Sequence, residues 1–334
     1  MNRLIYILLI GFVFLISCEK EEEGEKEQTV DISMGANQAM DVYYSFTNGE
    51  VSSSDRSTWD LAFSVPLQTA TIRINEGAGV ELYQVGDTNL WESADTSGIQ
   101  GWDPLYNDKS DWMTGAFNVG STGGFDYGWA IYDHGNTYNV IGQYIYVIKL
   151  SNGAYKKLYI IKKDGRTNTY HLRWANIDGS DQVDETFSPA AYAETKHFIH
   201  YSLVTGEMVV TEPDMEAWDL LFTRYMEKIE ASPGTEVDYP VMGVLMNQDH
   251  EGVQVSGMDS SEAGYSDAET DFLTQADVIG WDWKSFDPET QAITVAADKS
   301  YFIKLAGGSI YKLYFTDYAG EAEGSMTFRQ LKVE

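Results

Sequence analysis

The amino-acid sequence predicts a mainly β protein: two tandem related antiparallel β-rich domains behind an export signal and an acidic tether. Three observations carry that prediction. Blocks of the first half return in the same order in the second, short β-branched and aromatic runs end at glycine-containing dipeptides, and helical periodicity is scarce. The expected division is a signal over 1–17, a tether over 18–29, one domain over 30–183 and its counterpart over 184–334.

Arg3 supplies a positive start, and residues 4–16 form an apolar run interrupted by Gly11. The run is shorter than the roughly 20 apolar residues of a spanning helix and reads as a signal peptide. It ends at Leu15-Ile16-Ser17-Cys18, which resembles the lipobox of bacterial lipoproteins. The resemblance implies cleavage before Cys18 and acyl chains on that residue, inserted in outer-membrane lipid. Each buried methylene contributes about 0.8 kcal/mol, so several chains on one residue anchor stably. Cys18 is the chain's single cysteine, which excludes a disulfide framework, a thiolate metal site, CxxC redox chemistry and covalent CxxCH haem attachment.

The following Glu19-Lys20-Glu21-Glu22-Glu23-Gly24-Glu25-Lys26-Glu27 holds no apolar residue and reads as a flexible tether. An acidic run directly behind a lipidated cysteine resembles the surface-export signal of some Gram-negative lipoproteins, which implies exposure at the cell surface. Across the chain 22 Lys+Arg face 52 Asp+Glu, a net charge of −30 that repels nucleic acid and anionic lipid.

Within the first domain, Tyr44-Ser45-Phe46-Thr47-Asn48-Gly49-Glu50 returns as Tyr201-Ser202-Leu203-Val204-Thr205-Gly206-Glu207. Trp59-Asp60-Leu61-Ala62-Phe63 returns as Trp218-Asp219-Leu220-Leu221-Phe222. Near the end of each copy, Tyr146-Val147-Ile148-Lys149-Leu150 matches Tyr301-Phe302-Ile303-Lys304-Leu305, continuing through Lys157-Leu158-Tyr159 and Lys312-Leu313-Tyr314. The segment 71–75 alternates as a strand does. Asn152-Gly153 and Gly307-Gly308 are hairpin dipeptides joining 143–150 to 155–161 and its counterpart to 310–315. The polar segment 178–184 is the expected boundary, and 270–279 is expected to form one short helix.

These blocks, with Ile310-Tyr311-Lys312-Leu313-Tyr314-Phe315 followed by Thr327-Phe328-Arg329, resemble the HmuY-like haem-binding lipoproteins, or haemophores. The resemblance covers both copies, although a single domain is usual in that family. It implies a HmuY-like fold in each copy. It also implies non-covalent capture of haem between two axial side chains, for transfer to a TonB-dependent outer-membrane receptor in iron acquisition. The family's second histidine follows a Gly-Trp pair and sits in a turn before the hydrophobic hairpin. Gly128-Trp129-Ala130-Ile131-Tyr132-Asp133-His134-Gly135 places His134 there. The segment expected to hold the first histidine has none, and Met113 is its soft candidate; imidazole and thioether are both ordinary iron ligands. In the second copy nothing stands where His134 stands, and His250 and Met246 are weaker candidates upstream.

Plainer roles compete for each residue. His134 suits a solvated turn, Met113 next to Trp112 suits a core, His171 faces solvent, and His197 and His200 read as structural. Trp59, Asp60, Trp218 and Asp219 recur in both copies, which favours folding over chemistry. The sequence carries no GxSxG, P-loop, HExxH or GxGxxG signature, and no enzyme activity is expected. Residues 176–181 hold oxygen ligands but depart from the EF-hand pattern for calcium. The alternative to haem capture is a surface lipoprotein without haem, binding a glycan or docking on a transporter or secreted partner. Trp91, Trp102, Tyr106, Trp112 and Trp129 would then be its aromatic platform.

Overall fold

The computed structural model describes residues 26–135, 137–268, 272–287 and 289–334. The signal segment, Cys18 and the tether as far as residue 25 lie outside the described residues. The described chain is mainly β with antiparallel pairing, and its helical elements are three-residue 3-10 turns. The expected tether ends inside a strand, because Gln28–Ser33 pairs along its whole length with the C-terminal strand Ser325–Lys332.

The helix expected over 270–279 does not form across 272–279; its first two residues lie outside the described ones. Its backbone is committed to neighbours instead. Leu273 bridges Gly252, Ala276 accepts from the Met246 amide at 2.7 Å and donates to Ser110 O at 2.9 Å. Ala276 and Ile279 are buried by this irregular crossing, which reproduces an apolar spacing without helical hydrogen bonds.

Two large sheets carry the two main cores. One runs Gln28–Ser33, Ser325–Lys332, Ile310–Tyr318, Lys299–Lys304 and Glu251–Ser256 in spatial order. The other runs Val183–Phe187, Thr169–Asn176 and Tyr155–Asp164. It then divides between the hairpin Ala130–Tyr132/Asn139–Gly142 and the strands Tyr144–Lys149 and Glu81–Asp87. The glycine hairpins close as expected: Tyr155 pairs Lys149, and Ile310 pairs Lys304. Repeated lysines do matching work. Lys149 and Lys304 pair with Glu81 and Glu251 at 2.8 and 2.9 Å, while buried Lys157 and Lys312 donate to the carbonyls of Trp91 and Ser261.

Strand pairing crosses the sequence boundary at 183/184 in both directions. The hairpin Met40–Ser45/Gly49–Asp55 pairs with the strand Leu220–Ser232, Tyr44 opposite Leu220. Reciprocally, Phe198–Ser202 pairs with Leu61–Ser64, Tyr201 opposite Leu61. Val183–Phe187 likewise continues the sheet of the strand before it, Val183 opposite Trp174. Two packing units result: one spans 56–212, and the other joins 26–55 to 215–334, with the N-terminal strands closing the C-terminal sheet. Tyr201 and Leu203 therefore sit in the core of Phe63, Trp129 and Tyr146, and Tyr44 and Phe46 in that of Phe222, Trp283 and Phe328.

The repeated Trp-Asp pairs hold this exchange. Asp60 N donates to Tyr201 O at 2.9 Å, and Asp60 Oδ2 accepts from Leu203 N at 2.7 Å. In the other unit Asp219 N donates to Tyr44 O at 2.7 Å, and its Oδ2 accepts from Phe46 N at 2.7 Å. Asn75 and Asn247 complete the match: their amides donate to the carbonyls of Trp59 and Trp218, both at 2.9 Å. The same chemistry recurs on the two sides of the molecule.

Candidate functional site

His134 lies in the turn of the hairpin Ala130–Tyr132/Asn139–Gly142, which is anchored at its base by Trp129. The Trp129 ring is buried and its Nε1 donates to Ala70 O at 2.8 Å. Gly128 ahead of it has φ +82°, and a Cβ there would stand 2.7 Å from Phe117 O, so glycine is required. Asp133 fixes the turn: it accepts from Thr137 Oγ1 at 2.6 Å and from Gly135 N at 2.9 Å, bonds that hold its carboxyl below the usual range.

The His134 ring is exposed and edged by Phe125, with centroids 4.2 Å apart, and by Tyr132 at 5.5 Å. Phe125 and Tyr132 stack on one another at 5.6 Å. Phe125, Ile131 and Tyr138 leave 57%, 42% and 49% of their surface to solvent. Among the described residues, His134 is the histidine with neither ring nitrogen in a hydrogen bond. His171 meets Thr186, His197 meets Asn247 and Gln248, His200 meets Thr211, and His250 meets Asp219 and the Ala306 amide.

Met113 has a separate set of neighbours. It is half-buried in the turn after Asp111, its carbonyl accepts from Thr71 Oγ1 at 2.8 Å, and its sulfur lies 3.9 Å from that hydroxyl. Adjacent Trp112 is wedged between the units, donating to Met246 O at 2.8 Å with the Arg73 guanidinium 5.0 Å from its ring centre. No hydrogen bond or ring contact joins Met113 to His134 among the described residues.

The second-unit candidates are interior. Met246 is fully buried, its sulfur packed against Gly252. His250 accepts from Ala306 N at Nδ1, 3.3 Å, so its proton sits on Nε2 and is donated to Asp219 at 2.8 Å. A ligand role for either would require these contacts to be given up. The 176–181 loop also spends its oxygens internally: Asn176 Nδ2 donates to Asp181 Oδ2 at 2.8 Å, and Asp178 accepts twice from Ser180. No group of three or more His, Cys, Asp or Glu side chains able to hold a metal ion occurs among the described residues. The five aromatic residues of the glycan platform are dispersed rather than assembled, since Trp91 and Trp129 are buried in different cores.

Sequence reasoning missed a cavity of about 70 Å³ between the two units, lined by both aromatic and charged side chains. Trp59 meets His200 across it at 4.3 Å, and the corresponding Trp218 meets Tyr43 at 5.1 Å. Glu76 bridges the units, accepting from Asn107 N at 2.8 Å and from Met226 N at 3.1 Å. Adjacent Gly77 runs so close that a Cβ would stand 2.1 Å from Arg224 O. Burial pushes the carboxyls of Glu76 and Glu212 up to about 7 and drives His200 down to about 3. The volume falls far below the roughly 300–1,000 Å³ of a drug-sized ligand site, so this is a joint between the units and no place for a macrocycle.

No family model matches this chain, and no curated protein does. Two solved structures are similar. Apo PinO from Porphyromonas gingivitis aligns over 92% of this chain and 98% of its own, with 7% identity and a TM-score of 0.28. A Bacteroides vulgatus ATCC 8482 protein assigned as HmuY-like and heme-binding aligns over 52% of this chain and 97% of its own, with 16% identity and a TM-score of 0.18.

Proposed function

We propose that this protein is a lipid-anchored, cell-surface lipoprotein that captures haem non-covalently through His134 and releases it to an outer-membrane receptor. The observation that carries the reading is the environment of His134: an imidazole with no ring-nitrogen hydrogen bond among the described residues, held beside Asp133 in an exposed turn and edged by Phe125 and Tyr132. Those aromatic faces suit the flat apolar surface of a porphyrin, and the imidazole suits its iron. Met113 is the proposed second axial donor, reaching the macrocycle by rearrangement of the 108–118 loop. The non-haem alternative, a glycan-binding or partner-docking accessory module, keeps the anchor and the two units and dispenses with the iron ligand.

Titration of the protein with haemin, followed by absorbance, tests this reading. A sharpened, shifted Soret band saturating at one equivalent is expected. Loss of that band in His134→Ala, and a change to its position in Met113→Ala, would assign the ligands. An unchanged spectrum with haemin in excess leaves the accessory-module reading.

A further inference from the structure

A second candidate site lies on the other unit, between two hairpins that project from it. One is the long ribbon Leu220–Ser232/Thr235–Met246; the other is Lys284–Asp287/Ala292–Val295. The groove between them encloses about 780 Å³, within the range of sites that take drug-sized ligands. Tyr239, Phe286 and Ile293 line it with 50%, 56% and 40% of their surface exposed, and Trp281 and Tyr318 continue the aromatic wall.

The polar lining is unusual for this molecule. Arg224, Lys228 and Lys284 face Glu230 and Glu321, three cations against two carboxylates in a chain whose net charge is −30. Arg224 pairs with Glu321 at 3.2 Å, and Lys228 pairs with Asp238 at 2.9 Å. Half-buried Lys284 is different. Its ammonium donates to the carbonyls of Met242 and Trp281 at 2.7 and 3.3 Å and lies 4.1 Å from the Trp283 ring centre. No carboxylate is within ion-pair distance of it among the described residues, and nearby Asp282 is committed to Lys299. Burial lowers the ammonium to about 7, with the Asp282 charge opposing that shift.

We infer that this groove binds a small aromatic anion, a ring-bearing carboxylate or sulfonate, stacking its ring on Tyr239, Phe286 and Trp281 and placing its charge against Lys284. The occupant follows from complementarity: apolar walls supply the area, and a desolvated cation gains most from an anion brought into the same poorly solvated space. The site is independent of His134, which lies on the other unit.

The test uses the full protein with two fluorescent probes, 1-anilinonaphthalene-8-sulfonate and its uncharged relative N-phenyl-1-naphthylamine. Wild type is expected to bind the sulfonate at one site, and His134→Ala to bind it equally. Lys284→Met should weaken the sulfonate at least about tenfold while leaving the neutral probe unchanged, and Lys284→Arg should restore most of the loss. Phe286→Ala, at an exposed position, should weaken both probes. Equal sulfonate affinity in wild type and Lys284→Met would overturn the inference. If Lys284→Met does not fold, undiminished sulfonate binding by Phe286→Ala would overturn it instead.

Discussion

Asp60 and Asp219 illustrate how a repeated residue becomes legible in the sequence alone. Each recurs behind a tryptophan, and recurrence within one chain points to folding. In the fold, each accepts a backbone amide from a strand contributed by the other sequence copy. Removing the acceptor leaves a buried N–H unpaired, which costs about 1–3 kcal/mol. Asp60→Ala should therefore lower the unfolding free energy measured in urea by that amount. Asp219→Ala should lower it further, because the His250 Nε2 proton loses its acceptor too. Equal, negligible effects would mean the exchanged strands are held by side-chain packing alone.

The buried carboxyls at the joint carry a second residue-scale consequence. Glu76 and Glu212 have folded-state values near 7, above the unfolded 4.5, so they bind protons more tightly when folded. Their contribution is fully favourable below about 4.5 and is lost as pH rises through 7. His200, lowered to about 3, works in the opposite sense between about 3 and 6.5, where the unfolded chain takes up the proton. Glu76→Gln removes one of the two carboxyls. Its stability should fall less steeply than wild type between pH 4.5 and 7, whatever constant offset the lost amide bond adds. Parallel pH profiles from urea unfolding would refute the assignment. Nothing in the local sequence marks Glu76: its burial is created by Arg224 and Met226, distant in the chain.

Among elements, the glycine hairpins and short alternating strands were readable because their signals are local. Three features were not. The segment 272–279 has helical spacing, yet its backbone bonds go to Met246, Ser110 and Gly252. The long ribbon Leu220–Ser232/Thr235–Met246 extends well past its counterpart strands Leu61–Ser64 and Ile72–Ile74, an insertion that a match on the Trp-Asp-Leu block cannot size. The phase of the repeat was hidden as well, because a periodic sequence fixes the period and leaves open where a packing unit begins. Fragments distinguish the two divisions. A fragment over 56–212, containing a whole sheet and its core, should unfold cooperatively with β-type circular dichroism. The fragment 30–183 should not, since Tyr44 and Phe46 lose their core and Leu61–Ser64 loses its partner Phe198–Ser202. Cooperative unfolding of 30–183 alone would contradict the exchange.

At the scale of the whole molecule, the two packing units differ in their exposed hairpins. One presents His134 beside Phe125 and Tyr132; the other presents an aromatic groove with Lys284 in its lining. His134 was singled out in the sequence by its place between Gly128-Trp129 and the hydrophobic hairpin. The groove was not, because its walls come from residues near 38, 228, 241, 286 and 318, which only the fold assembles. The net charge of −30 over the chain disfavours nucleic acid and anionic lipid as partners.

The most direct measurement of the central claim is the haemin dissociation constant of wild type against His134→Ala, read from quenching of tryptophan fluorescence. The account predicts tight, saturable quenching in wild type and an affinity at least about tenfold weaker in the variant, an iron–imidazole bond being worth more than about 1.4 kcal/mol. Identical curves for the two proteins, or no quenching in either, would contradict it.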